Sequence, residues 1–183
     1  MTAPPWQKNL LLTGRPRVGK STMVRRVTER LRHQGVTQMG GFYTLEVTSG
    51  GGRIGFDINT LGDRVGRLAR VGLDSRFRLG RYGIDMAQFE AVALPALEQA
   101  IAQGHLVVID EIGYMELKSR RFRELVERAL SSPAPVLATI MRSRFDFPDA
   151  VKARDDVTLL TVTVDNRDRL VEEIVQQLMK LAR

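Results

Sequence analysis

Two stretches carry residues whose types and spacing suit phosphate chemistry. The first is Gly14-Arg15-Pro16-Arg17-Val18-Gly19-Lys20-Ser21-Thr22, where four residues separate Gly14 from Gly19-Lys20-Ser21, the G-x-x-x-x-G-K-[ST] spacing of a phosphate-binding loop. Glycines let such a backbone curl until successive N–H groups point at one anion. Lys20 then reaches the outer phosphates, and the Ser21 hydroxyl is placed to hold Mg²⁺. The following helix turns its positive N-terminal end toward the same charge. The second stretch is Leu106-Val107-Val108-Ile109-Asp110-Glu111. Its apolar run sets Asp110 at the carboxyl end of a buried strand, where a phosphate-loop fold uses an acid to bind Mg²⁺, usually through water. Glu111 comes next, placed to orient and deprotonate a water attacking a γ-phosphate.

Further candidates have two readings each. Thr139 ends another buried strand, so its hydroxyl either senses the γ-phosphate or holds the water, or the residue is there for its β-branch. Arg142 and Arg144 follow, as arginine-finger candidates or as ordinary surface cations. Asn166-Arg167 follows the last strand, in a loop that this topology runs beside the phosphate loop. Arg167 can stack on a purine, and Asn166 can equally be a helix cap. Glu116 reads as a first-turn charge of the next helix in preference to a second acid of the site. His33 and His105 are far apart and show no metal-ligand spacing.

The elements that must position these residues alternate. Residues 8 to 13 read as a buried strand and 20 to 34 as a helix, with Met23, Val24, Val27 and Leu31 inward and Arg25, Arg26, Glu29, Arg30 and Arg32 outward. Residues 40 to 47 and 53 to 60 suggest a hairpin around Ser49-Gly50-Gly51-Gly52, with a third strand near 65 to 71. This antiparallel insert, near residues 40–71, is either a mobile basic flap or a charged sheet edge. Residues 73 to 84 look like loop, and 85 to 103 like a helix kinked or broken at Pro95. Strands at 105 to 110, 136 to 140 and 157 to 164 alternate with a helix at 119 to 130 and a polar loop or short helix at 146 to 155. A last helix follows, capped by Asp165 or Asn166, with Leu170, Ile174, Leu178 and Leu181 inside. The alternation predicts an α/β fold with a mostly parallel central sheet flanked by helices, and a ligand at the carboxyl ends of its strands.

Composition sets the bounds. The 183 residues suit one domain, 1–183, and the 43% apolar share supports a packed core. The absence of cysteine excludes disulfides and thiolate metal sites and fits a reducing cytoplasm. The first residues, Met1-Thr2-Ala3-Pro4-Pro5-Trp6, lack an apolar core of signal-peptide length, and no apolar run is long enough for a membrane span. A cytoplasmic monomer with no membrane partner is expected. The net charge of +7, from 28 Lys+Arg and 21 Asp+Glu, favours nucleoside triphosphates and leaves room for weak binding of RNA or another polyanion. The same features leave open a nucleotide or polynucleotide 5′-kinase, or a nucleotide-dependent switch that binds RNA or a partner.

The motifs together resemble the small P-loop nucleoside-triphosphatase family first described in hyperthermophiles. The likeness rests on residues 12–21, 41–47, 53–57, 93–95, 108–117 and 166–167, above all on Asp-Glu-Ile-Gly-Tyr-Met-Glu at 110–116. The resemblance implies a RecA-like P-loop NTPase core with the P-loop strand central. It also implies slow Mg²⁺-dependent hydrolysis of ATP, GTP and other nucleoside triphosphates with loose base choice. It matches Lys20 and Ser21 to the phosphate and Mg²⁺ ligands, Asp110 to the Mg²⁺ acid, Glu111 to the base, and Asn166-Arg167 to a motif near the nucleotide base. The chain departs from the family at Arg17, where glycine is usual and where a side chain is strained if φ is positive.

Overall fold

The computed structural model describes residues 6–181; residues 1–5, part of the stretch read as lacking a signal segment, lie outside that range. Five parallel strands form one half of a nine-stranded sheet. They are β1 (Asn9–Gly14), β2 (Met39–Ser49), β7 (Leu106–Ile112), β8 (Val136–Ile140) and β9 (Val157–Val162). The other strands are β3 (Gly52–Thr60), β4 (Val65–Val71), β5 (Arg78–Leu79) and β6 (Tyr82–Ile84), all paired antiparallel. The order across the sheet is β5-β6-β4-β3-β2-β7-β8-β1-β9. Strand β1 is thus interior but off-centre, next to the β9 edge.

Helices α1 (Lys20–His33) and α5 (Arg167–Leu181) cover one face, while α2 (Met86–Ala102), α3 (Arg120–Ser131) and the short α4 (Asp146–Lys152) pack on the other. A strand covered on both faces reads as a continuous apolar run because successive side chains enter opposite cores. Along β1, Leu10 and Leu12 pack with Val24, Val27 and Ile174, whereas Leu11 packs with the α2 and α3 side. The second core centres on Phe42, Phe89 and Phe122, which meet edge to face at 5.3 to 6.0 Å. Among the described residues no helix is long and apolar enough to cross a membrane.

Three expectations are corrected. Residues 73 to 84 are not only loop: β6 pairs with β4 through Ala69 and Ile84, and Tyr82, Gly83 and Ile84 are buried. A three-residue strand containing glycine is too short to show a period. Leu181, expected inside, is 41% exposed at the end of α5. Helix α2 runs unbroken through Pro95. Proline lacks the N–H that would bond the carbonyl of Ala91, and Arg64, reaching over from beyond β3, donates to that carbonyl at 3.2 Å instead. Both Ala91 and Pro95 are exposed, so the ring meets no core.

This substitute bond gives a prediction. Arg64→Ala lowers stability by about 0.5–1 kcal/mol, and the loss shrinks toward zero in a Pro95→Ala background, where a backbone N–H can serve Ala91 again. Denaturant unfolding of the four proteins of the cycle measures it; equal losses in both backgrounds contradict it.

Candidate active site

The loop from Gly14 to Gly19 joins β1 to α1 at the carboxyl end of the parallel strands. A Cβ at Gly14 would lie 2.7 Å from the Val162 carbonyl oxygen, and Gly19, which caps α1, has φ 106°. Both positions therefore require glycine. Helix α1 has no side-chain cap and no acid in its first turn, so its leading N–H groups remain available to an anion. Arg17 has φ 63°, a left-handed conformation that costs a non-glycine residue roughly 1–2 kcal/mol.

Asp110, at the end of β7, is 1% exposed. Its Oδ1 accepts hydrogen bonds from Ser21 Oγ at 3.0 Å and Thr139 Oγ1 at 2.6 Å, and Thr44 Oγ1 donates to its backbone carbonyl at 2.9 Å. The other carboxylate oxygen, Oδ2, is buried without a partner. Burial pushes the Asp110 carboxyl up, opposed by the Thr139 and Ser21 hydrogen bonds and by the Lys20 charge. A buried, bare carboxylate oxygen beside a serine hydroxyl calls for a cation. The donor set, one hydroxyl and one carboxylate, suits Mg²⁺, which takes oxygen ligands and keeps several waters. Among the described residues no group of three or more His, Cys, Asp or Glu side chains is placed to hold a metal ion, which suits a cation that keeps most of its waters.

Glu111 is half-buried. Burial raises its carboxyl, the Lys20 ammonium opposes the rise, and the Asp110 charge adds to it. A cleft of about 790 Å³ contains Lys20, Ser21, Asp110 and Glu111. Its far wall is built by Glu46, Arg53 and Phe56 of the hairpin; Arg53 pairs with Glu46 at 2.6 Å and lies over the Phe56 ring at 4.9 Å. Arg17 and Thr22 also line this cleft. Lys20 Nζ stands 3.5 Å from the Gly14 carbonyl oxygen, a loose contact for a side chain free to turn to a phosphate.

Some sequence-derived candidates occupy other roles. Thr139 is fully buried and its hydroxyl donates to Asp110, so it braces the acid and does not line the cleft. Asn166 spends its side chain on the Thr163 amide and the Thr161 carbonyl, which makes it a brace of its own loop. Arg167 reaches the phosphate loop, donating to the Val18 carbonyl at 3.3 Å. Arg15 and Pro16 are exposed on the loop, and Val18 packs against the core beneath it. Arg25, read as outward-facing, lines the cleft one helical turn beyond Ser21, with its Nε buried and unpartnered. The i,i+4 spacing from Ser21 is the signal that places it there. Glu46, Arg53 and Phe56 lie in the stretches 41–47 and 53–57 that carry the family likeness, but their types and spacing alone did not place them at the cleft.

Glu116 is the clearest correction. It does not begin the next helix: Ser119 caps α3, and Glu116 sits in a single 3-10 turn, 3% exposed. A Cβ on Gly113 would lie 2.9 Å from Glu116 Oε2 and 3.3 Å from Glu111 Cγ, so both acids pack against this one glycine. Burial, with the Glu111 charge second, pushes the Glu116 carboxyl up to about 8. Between its unfolded value of 4.5 and about 8 the folded chain holds a proton that the unfolded chain has lost. This contribution to stability is therefore complete below pH 4.5 and falls as pH rises to about 8. Glu116→Gln flattens that part of the profile in thermal melts taken across the window; an unchanged slope contradicts the buried neutral acid.

A family model described as NTPase matches residues 9–175. The nucleoside-triphosphatase THEP1 of Thermotoga maritima is 41% identical over 169 residues, covering 92% of this chain and 94% of its own. The human cancer-related nucleoside-triphosphatase is 40% identical over 181 residues, covering 92% and 95%. The crystal structure of THEP1 from Aquifex aeolicus superposes with a TM-score of 0.82 at 33% identity, over 91% of this chain and 96% of that one. The chain belongs to the NTPase family.

Proposed function

We propose that the protein is a Mg²⁺-dependent nucleoside-triphosphatase that cleaves the β–γ bond of ATP, GTP and other nucleoside triphosphates. The observation that carries this reading is the Asp110 carboxylate. One of its oxygens is fixed by Ser21 and Thr139 and the other is bare, with Glu111 and Lys20 beside it in one cleft. The position of β8 between β1 and β7 supports a RecA-like arrangement, because it sets Thr139 between the phosphate loop and the two acids. A single domain over the whole chain fits the one continuous sheet.

In this reading the amides of residues 14–22 cradle the phosphates and Lys20 neutralises the outer ones. Ser21 and Asp110 would hold Mg²⁺, which would supply positive charge to offset that of the phosphates. Glu111 orients a water and takes its proton as the water oxygen bonds to the γ-phosphorus. The bond from that phosphorus to the β–γ bridging oxygen breaks, and the nucleoside diphosphate leaves. Thr139 acts by fixing Asp110. Loose base choice follows from Asn166 being occupied within its own loop, which leaves the planar Arg167 guanidinium as the group near the base; stacking on it does not distinguish one base from another.

The test is release of orthophosphate from γ-labelled ATP, GTP, CTP and UTP, with and without a chelator. Glu111→Gln lowers turnover by about 10²-fold or more while nucleotide binding persists, and Lys20→Ala weakens nucleotide binding itself. Full turnover in both variants contradicts the mechanism. Label recovered on an added nucleoside or RNA 5′ end instead of in orthophosphate favours a kinase.

A further inference from the structure

The nucleotide cleft does not end at Glu111. A second cavity of about 470 Å³ opens beyond it, and the two cavities share Pro16, Lys20, Glu111 and Met141. Ser21, Thr22 and Asp110 line only the larger one, while Arg142, Ser143 and Arg144 line only the smaller. The residues assigned above to the metal thus stand on one side of Lys20 and Glu111, and Gly14 of the phosphate loop and two arginines stand on the other. The shared wall is where a γ-phosphoryl group would be cleaved.

The smaller cavity suits an anion. Among the described residues neither Arg142 nor Arg144 has an ion-pair partner. With Lys20 they give three cations against the one carboxylate of Glu111. Guanidinium forks match the oxygens of a phosphate in pairs. The segment bearing them is tied at both ends. At its root, the Met141 amide donates to the Ile112 carbonyl at 3.1 Å, which fixes it beside the acid pair. At its tip, the Phe145 ring packs on Tyr114 at 6.1 Å, and Lys118 Nζ lies 4.1 Å from the Tyr114 ring centroid. Phe145 is 48% exposed, so this contact ties the loop after β8 to the loop after β7 at the surface and is not part of the core.

We propose that the smaller cavity is a binding and exit site for orthophosphate, held by Arg142 and Arg144. The nucleoside diphosphate stays in the main cleft while the cleaved phosphate occupies the far side of Lys20 and Glu111. The proposal rests on the hydrolytic reading for the origin of its ligand, but the site itself is measurable without turnover.

The experiment is calorimetric titration of orthophosphate, and in parallel orthovanadate, into protein saturated with ADP and Mg²⁺. The Arg142→Ala/Arg144→Ala double variant binds both anions at least about 10-fold more weakly than wild type, with ADP affinity within about 2-fold. The Arg142→Lys/Arg144→Lys variant recovers part of the loss, because charge returns without the fork. Melting curves check that each variant is folded, and the single variants serve if the double one is not. Wild-type protein that binds neither anion in the presence of ADP overturns the proposal. So does unchanged anion binding in the double variant, or ADP affinity falling in equal measure. Failure of wild type to release phosphate from ATP would refute the hydrolytic reading instead.

Discussion

The structure depends on one constraint: a carboxylate, Asp110, is buried where three elements converge, with only half of its hydrogen-bonding capacity met. A buried ion without full compensation is expensive, which is the cost that the proposed metal would offset. The partners come from separate places. Ser21 opens α1, Thr139 ends β8, and Thr44 of β2 holds the backbone of the acid. Losing the register between β7 and either neighbour would strand this charge, which makes the central pairing of the sheet and the integrity of the site one requirement.

The surroundings carry further costs of the same kind. Arg17 takes a left-handed conformation that glycine would adopt freely. Glu116 is buried close to Glu111 and carries a proton through neutral pH. Arg25 leaves its Nε without a partner in the wall of the cleft. Strain and unpaired polar groups concentrated around one cavity mark a site whose fold gives up stability for function. The two hydrophobic layers behind it, with their interlocked phenylalanines and alternating leucines, provide the stability that these positions consume.

What the sequence made legible follows the reach of each signal. Local chemistry was plain: the glycine spacing of the phosphate loop, and the apolar runs that deliver Gly14, Asp110 and Thr139 to one end of the sheet. Roles set by distant contacts were not. Thr139 reads equally as a γ-phosphate contact or as a plain strand residue, whereas its hydroxyl donates to Asp110. Glu116 resembled a helix-start charge because a 3-10 turn and a helix give similar patterns over a few residues. Pro95 reads as a kink or a break, and its remedy, Arg64, lies far off in the turn between β3 and β4. Arg142 and Arg144 read either as arginine fingers or as surface cations, and it is the fold of the loop after β8 that sets them beside Lys20 and Glu111.

The central claim is that Asp110 is left half-satisfied in order to hold a metal. It is tested most directly by titrating Mn²⁺, as a paramagnetic substitute for Mg²⁺, into protein loaded with a non-hydrolysable ATP analogue and counting free ion by electron paramagnetic resonance. The account predicts that Asp110→Asn weakens Mn²⁺ binding by about 10-fold to 100-fold, the range for a residue that holds a metal through its water. Equal Mn²⁺ affinity in the wild type and the variant would contradict it.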